Sequence, residues 1–440
     1  MENSVRGREE FRRIVLVTFM KPIRVVALAS FIGTTIEWYD FFLYGTAAAL
    51  VFNQLFFPTF DPLVGTLAAF GTYAVGFVAR PVGGILIGHY GDRIGRKSML
   101  VLTLVIMGVA TFLIGLLPTY QSIGPWAAVL LVALRVAQGF GVGGEWGGAV
   151  LMAVEHAPAG RRGFYGSWPQ LGVPAGLLLS TAVFYVFARL PPEDFLAWGW
   201  RVPFLLSLVL VIVGLAIRIR LLETPAFARA VETDGVSRIP ILEVLAKYPR
   251  EVLIAMGARF AENGSFYIYT VFVYVYATQR VHVDRGVVLI GILIASACEM
   301  VAIPLFGALS DREGRRPVYL FGAGMTAVFA YPFFVLLDTG STPMIWAALV
   351  VAQVLCHAPM YAPQAAFLAE LFGTRVRYSG ASLGAQLSSV LAGGLSPFIA
   401  TALLARYGRG ALALYLAGMA AITIVAVTVA TETAQDDIDG

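Results

Sequence analysis

Long apolar stretches separated by short polar loops run through almost the whole chain. Apolar residues follow one another without the alternation expected of barrel strands, and each stretch is close to the roughly 20 residues that a helix needs to cross a bilayer. The pattern therefore predicts an all-α membrane protein. Twelve transmembrane helices are predicted, at 24–51, 63–89, 98–118, 126–153, 162–189, 200–222, 252–279, 286–309, 317–337, 343–370, 378–405 and 411–430.

Three short patterns occur once in each half of the chain. The matched pairs are Glu37 and Glu262, Asp92 and Asp311, and Gln138 and Gln353, and the two aspartates are 219 residues apart. One position breaks the first match, because Asp40 corresponds to Ser265. A parallel repeat at half the chain length is typical of transporters with two related bundles of six helices. The sequence therefore predicts two pseudo-symmetric six-helix bundles.

The loops and the repeat divide the chain into five segments. The predicted segments are a cytoplasmic N-terminal arm at 1–23, a first bundle at 24–222, a cytoplasmic linker with a short interfacial helix at 223–250, a second bundle at 251–430 and a cytoplasmic tail at 431–440.

Composition and charge agree with a membrane protein and fix its orientation. The 440 residues are 58% apolar and 13% charged, with a mean hydropathy of +0.78, which is outside the range of soluble proteins. With the N-terminus inside, 22 Lys and Arg residues fall in inner loops and six in outer loops. The positive-inside rule then predicts that both termini are cytoplasmic. The net charge of +4 reflects topology and not nucleic-acid binding.

Two loops carry the motif of a known family. The pattern Gly-x3-Asp-Arg-x-Gly-Arg followed by a basic residue occurs at 88–97 and again at 307–316. This pair resembles the signature loop of the major facilitator superfamily. Residues 37–41, 138–140, 143–148 and 198–204 are similar to the metabolite:proton symporter family within it. Residues 45–53 and 377–381 are similar above all to members of that family that transport shikimate.

This resemblance implies a proton-coupled symporter that imports a small organic acid, shikimate or a related carboxylate, into a bacterium across its inner membrane by alternating access. It also implies a cytoplasmic gate network of charged residues that closes the inner side. Ion pairs at a water boundary are each worth under about 1 kcal/mol, so such a network can break in every cycle. The same cations could instead only set the topology. The members are Asp92, Arg93, Arg96, Glu155, Arg162, Asp311, Arg312, Arg315, Glu370 and Arg377.

Arg135 is the main candidate for binding the substrate carboxylate. A charge at bilayer depth costs about 2.5–3.5 kcal/mol, so each one is a candidate functional residue. Arg135 lies nine residues into the fourth predicted helix, and its counterpart in the repeat is the uncharged Val350. At about 1.5 Å per residue this depth is roughly 14 Å, near the middle of the membrane. The alternative is a structural ion pair with Glu37.

Asp40 is the candidate proton carrier, since a proton and an anionic substrate can alternate as partners of Arg135. It could alternatively be a hydrogen-bond acceptor that orients tyrosines. Glu37, Arg259 and Glu262 are further candidates for proton coupling. The presence of a glutamate in both halves also fits a structural role, and Arg259 and Glu262 are spaced to pair with each other on one helix.

Polar and aromatic residues of the first, fourth, seventh and tenth helices are the predicted substrate contacts. Pro359 and Pro363 in the tenth helix predict either unwound backbone that faces the ligand or a simple kink. His357 precedes them and could titrate near neutral pH. Glu145 and Glu299 are buried charges whose roles stay open. The predicted set is Arg135, Tyr44, Gln138, Gln353, His357, Tyr361 and Tyr269.

One literal motif match is better explained by packing. Gly139, Gly141 and Gly144 satisfy a dinucleotide-binding pattern, but no strand precedes them and they lie in a membrane helix. Gly139, Gly143 and Gly147 instead form a stripe of small residues that allows a neighbouring helix to approach closely.

The expected partners follow from this interpretation. They are a small carboxylate, protons and the lipid bilayer, without nucleic acid, and the chain is expected to be a monomer. We expect no catalytic residues, no metal and no cofactor other than the proton as coupling ion, and hence no enzyme activity. The alternative functions are proton-coupled uptake of a zwitterionic osmolyte such as proline or betaine, and drug efflux by antiport.

Overall fold

The computed structural model describes residues 31–94, 96–143, 150, 153–154, 157–158, 160–220, 240–372 and 377–434. Every regular element in these ranges is helical, which confirms the all-α prediction. The predicted N-terminal arm lies outside the described residues, as do residues 223–239 of the predicted linker, residues 435–440 of the predicted tail, and Glu145. A short helix, Pro240–Lys247, precedes the second half.

Twelve long helices, labelled α1 to α12, make up the described part of the chain, and each overlaps one predicted helix. Eight of them are long and apolar enough to cross a membrane, and α3 and α4 contain shorter apolar segments. The bounds are 31–55, Pro62–Ile94, Arg96–Leu116, Trp126–Val142, Arg162–Ala188, Arg201–Arg220, 249–280, Arg285–Glu313, Arg315–Asp338, Thr342–Glu370, 377–407 and Arg409–Val429.

Helices α1, α7, α10 and α11 each contain at least one π-helical turn. Such turns are rare in proteins overall, and those that occur are often found at functional sites. The turn in α10, Ala352–His357, lies directly before Pro359, which has no amide hydrogen to continue the regular ladder. Since α10 continues to Glu370, the proline accompanies a local change of winding and not a break.

The two halves of the chain pack as bundles that meet around a central space. In the first bundle α2 packs against α4 and α3 against α6, and in the second α12 packs against α7 and α9. Between the bundles, α5 contacts α8 and α10, and α2 contacts α11. At the end of α5 predicted to be extracellular, Arg285 Nη2 donates to the carbonyl oxygen of Ala188 at 2.6 Å.

The glycines of α4 permit the close contact with α2. A Cβ atom on Gly139 would lie 2.0 Å from the carbonyl oxygen of Gly76, and one on Gly143 would lie 2.0 Å from that of Arg80. Both distances are far below van der Waals contact, so only glycine fits. These two positions confirm that the small-residue stripe brings a neighbouring helix close, while Gly147 lies outside the described residues.

Candidate functional site

A cavity lies between the two bundles, with walls from α1, α2, α4, α5, α7, α10 and α11. Its empty volume, including the space at its mouth, is about 810 Å³. Tyr361 lines it, whereas the predicted site residues Arg135 and Asp40 do not. The charged residues and the histidine of its walls are Glu37, Arg80, Arg259, Glu262 and His357.

Arg135 is buried behind a layer of aromatic rings. It is 0% exposed, and its guanidinium carbon lies 4.4, 4.3 and 4.7 Å from the ring centroids of Phe41, Tyr44 and Tyr73. Cation–π contacts of this kind stabilise a guanidinium where water does not reach it. Its Nη1 donates to Gln138 Oε1 at 3.1 Å, whereas Nε and Nη2 have no acceptor among the described residues.

The alternative role of Arg135 as the ion-pair partner of Glu37 is not observed. Within the described ranges Arg135 forms no ion pair with a carboxylate. A Cβ atom on Gly76 would lie 2.4 Å from Arg135 Nε. A glycine at this position of α2 therefore makes room for the guanidinium.

Arg80 of α2 lines the cavity in front of the same aromatic layer. Its guanidinium carbon lies 4.2 Å from the Phe41 ring centroid and 4.3 Å from that of Phe77. Arg80 is 4% exposed, and its Nε and Nη2 have no acceptor among the described residues. Phe41 thus contacts two guanidinium groups, those of Arg80 and Arg135. As a cation inside an apolar helix, Arg80 is a candidate functional residue from the sequence, but it is not among the predicted substrate contacts.

Asp40 is 1% exposed and does not line the cavity. The Thr111 hydroxyl lies beside it but donates its single hydrogen to the Met107 carbonyl oxygen at 2.9 Å. Neither carboxyl oxygen of Asp40 therefore has a hydrogen-bond partner among the described residues. Thr111 also accepts a hydrogen bond from Gln138 Nε2 at 2.7 Å. Thr111 and Gln138 together connect the surroundings of Asp40 to Arg135.

On the opposite wall, His357 of α10 contacts two carboxylates. Its Nδ1 forms a hydrogen bond with Glu299 Oε1, and its Nε2 lies 3.4 Å from Glu262 Oε1. The imidazole also stacks on Phe266 and Tyr361, with centroid distances of 4.3 and 4.9 Å. His357 is the last residue of the π-helical turn Ala352–His357 of α10.

Glu262 of the cavity wall contacts an amide and an arginine in addition to His357. Gln364 Nε2 donates to its Oε2 at 2.7 Å, and Arg259 Nε lies 3.5 Å from the same oxygen. The pairing of Arg259 with Glu262, predicted from their spacing, is therefore observed. The sequence did not indicate the partner of Glu299, because Glu299 and His357 are 58 residues apart in the chain.

Four of the predicted substrate contacts lie away from the cavity. Tyr44 donates to Thr72 Oγ1 at 2.7 Å, and Gln353 accepts from Ser296 at 3.4 Å. Tyr269 packs on another aromatic ring, and Gln138 holds Arg135. These residues are buried against neighbouring helices of their own bundle because of the rotation of each helix about its axis.

Asp311 of the predicted cytoplasmic gate network joins the two bundles at the end of α5 predicted to be cytoplasmic. Asp311 Oδ1 accepts from the backbone amide of Gly163 at 2.7 Å, and Oδ2 accepts from that of Phe164 at 2.9 Å. These amides belong to the first turn of α5, which has no acceptors within its own helix. An aspartate of the second bundle thus caps a helix of the first bundle.

Arg315 holds this aspartate in place. Its Nη1 donates to Asp311 at 2.7 Å, and Nε and Nη2 each lie 3.2 Å from an oxygen of Glu370. Arg377 donates to the Phe372 carbonyl oxygen, and Arg312 is exposed. Arg162 begins α5. Glu155 and the side chains of Asp92, Arg93 and Arg96 lie outside the described residues.

The segment after α12 adds an acid that the sequence did not indicate. Glu432 accepts from the backbone amides of Arg315 at 2.9 Å and Arg316 at 3.0 Å, and so caps the first turn of α9. Thr433 Oγ1 donates to Glu370 Oε2 at 2.8 Å. The residues after α12 therefore support the side chains that hold Asp311.

Replacing Glu432 with glutamine should weaken this cap by roughly 1 kcal/mol, because the anion at the helix N-terminus is lost. We expect the midpoint of thermal unfolding of the purified protein to fall by a few degrees. The matched control is Glu251→Gln, since Glu251 also lies in the first turn of a helix, α7, but does not cap it. Equal midpoints for the two variants would contradict a capping role of Glu432.

Comparison with known proteins agrees with this architecture. The shikimate transporter of Escherichia coli (strain K12) is 44% identical over 399 residues, which cover 89% of this chain and 91% of the relative. The inner membrane metabolite transport protein YhjE of the same strain is 42% identical over 414 residues, with coverages of 93% and 94%. The crystal structure of a D-xylose-proton symporter superposes with a TM-score of 0.72 at 19% identity, over 94% of this chain and 99% of that one, and supports the fold alone.

The family of the chain is shown by its match to a family model. A family model described as the Major Facilitator Superfamily matches residues 30–397 and 292–437. These matches span both bundles, and the relatives cover most of the chain. The chain therefore belongs to the major facilitator superfamily and is a multi-pass membrane transporter, not an enzyme.

Proposed function

We propose that the protein is a proton-coupled symporter that imports a small organic acid of the shikimate-like carboxylate class. The observation that carries the proposal is a pair of buried cations, Arg80 and Arg135, each with two guanidinium nitrogens that lack an acceptor among the described residues. An uncompensated buried charge costs several kcal/mol. A carboxylate can accept two parallel N–H hydrogen bonds from one guanidinium group, and so supplies the missing acceptors.

The relatives favour the same class of substrate. One of them is a shikimate transporter and another is a metabolite transport protein. Their similarity extends over nearly the whole chain, with coverages of 89% and 93%.

The order of contacts follows from the position of Phe41. Arg80 lines the cavity and receives the carboxylate first, while Arg135 comes into reach when Phe41 moves aside. Asp40 is the proposed proton carrier. A buried carboxylate without a hydrogen-bond donor is far more stable in its neutral form. Its ionised form would in turn neutralise Arg135 after the substrate leaves.

The proposed orientation places both termini on the cytoplasmic side of a bacterial inner membrane, because the inner loops hold most of the basic residues. The transporter works as a monomer, and the cytoplasmic gate network closes the inner side while the outer side is open.

Uptake of a zwitterionic osmolyte is the second candidate. The cavity wall also contains two carboxylates, Glu37 and Glu262, and the aromatic rings of Trp38, Phe266 and Tyr267. Aromatic rings and carboxylates together can bind a quaternary ammonium group such as that of betaine.

Addition of substrates to a lightly buffered suspension of proteoliposomes tests the proposal. We expect the external pH to rise when shikimate or a related monocarboxylate is added, and not with citrate, proline or betaine. Protein-free liposomes are the control. A rise with betaine or proline alone would establish the second candidate. If the protein is shown to be folded and no compound raises the external pH, proton symport of all the tested compounds is contradicted.

A further inference from the structure

The imidazole of His357 separates one acid that lines the cavity from one that does not. Glu262 and His357 line the cavity, and Glu299 of α8 lies behind the imidazole with 0% exposure. The hydrogen bond from Nδ1 to Glu299 fixes the orientation of the ring and directs Nε2 toward Glu262. Glu299 Oε2 has no hydrogen-bond partner among the described residues.

Charge balance indicates that this group holds a proton. With both glutamates ionised and Arg259 positive, a protonated His357 gives a net charge of zero, whereas a neutral His357 leaves one uncompensated negative charge. Such a charge in a buried site costs several kcal/mol. The other described charged or titratable groups that face the cluster are phenols of the same bundle and two residues across the cavity: Tyr267, Tyr319, Tyr361, Glu37 and Arg80.

We infer that Glu299, His357 and Glu262 form a second proton-binding site, separate from Asp40, which takes up and releases one proton in each transport cycle. The inference rests on the proposed function, because release requires a cavity that faces each side of the membrane in turn. His357 is then hydrated from the outside and from the inside alternately, and exchanges its proton with each side. A monoanion with two protons carries one net positive charge inward.

Accumulation driven by membrane potential alone distinguishes this site from Asp40. The probe is the acid that raises the pH in the panel above, with shikimate tested first, in proteoliposomes with an inside-negative potassium diffusion potential and equal pH on both sides. We expect about 50-fold accumulation by the wild type for 100 mV, because one charge across 100 mV is worth about 2.3 kcal/mol. Glu299→Gln should lower this ratio to about one.

The same variant should keep accumulation driven by a pH gradient, about tenfold per pH unit for the remaining proton. A merely structural role of Glu299 would reduce both kinds of accumulation together. The control is Glu313→Gln, the same substitution at an exposed position of α8, which should behave as the wild type. If Glu299→Gln does not fold, His357→Gln is measured with the same expectation.

Two results would overturn the inference. One is a wild type that accumulates a monoanion with a pH gradient but not with potential, which leaves the proposed function intact. The other is a folded Glu299→Gln protein that still accumulates about 50-fold with potential alone. Absence of all proton-driven uptake by the wild type would instead refute the proposed function itself.

Discussion

Replacement of Arg135 by glutamine is expected to lower uptake of the organic acid at least about 100-fold at concentrations below KM. Removal of one partner of a buried ion pair costs about 3–5 kcal/mol, and 1.4 kcal/mol is a factor of ten in affinity. The change should appear as a raised KM in exchange assays with radiolabelled substrate. The amount of folded protein should stay near that of the wild type, because Arg135 has no carboxylate partner among the described residues.

Arg201→Gln is the matched control for this variant. Arg201 is an arginine of the same bundle whose Nη1 donates to the carbonyl oxygens of Gly115 and Leu117 at 2.9 and 2.6 Å, away from the cavity. Its loss should reduce thermal stability and leave KM unchanged. Arg135→Lys keeps the charge but not the forked donors, and should fall between wild type and glutamine. If Arg135→Gln has the KM of the wild type, carboxylate binding by Arg135 is contradicted. The same measurement is then made on Arg80→Gln.

The sequence predicted the fold well because the fold depends on local chemistry. Apolar runs of bilayer length specify membrane helices, and the repeat of Glu37 at Glu262 and of Asp92 at Asp311 specifies two bundles. The pairing of Arg259 with Glu262 was also predictable, since helical spacing alone places them side by side.

The contacts within the site were less predictable because they depend on the rotation of each helix about its axis. Arg135 was expected beside the substrate path, yet Phe41 and Tyr73 cover it. Glu299 was recognised as a buried charge, but nothing local indicates that His357 is its partner. In the same way, Glu432 caps a helix that begins more than 100 residues earlier. Contacts between distant segments of this kind need the packed structure.

Asp40→Asn is expected to slow net uptake driven by a pH gradient at least about 100-fold while exchange of substrate across the membrane continues. Asparagine imitates the neutral, protonated carboxyl group, so the loaded transporter can still bind substrate and change conformation. After the substrate leaves, however, no carboxylate is available to neutralise Arg135, and an uncompensated buried cation costs about 3–5 kcal/mol. The empty transporter should therefore return at least about 100-fold more slowly.

Two assays on the same proteoliposomes separate this uncoupling from a loss of folding. With a gradient of one pH unit, the initial rate of net uptake should fall at least about 100-fold, because every net turnover needs the return of the empty transporter. Counterflow of radiolabelled acid against a preloaded unlabelled pool should stay within a few-fold of the wild type. Ser265→Ala is the control, because Ser265 is the counterpart of Asp40 in the second bundle and its hydroxyl has no partner among the described residues. Loss of counterflow together with net uptake would make Asp40 a residue of binding or folding, and retention of both would remove it from the coupling mechanism.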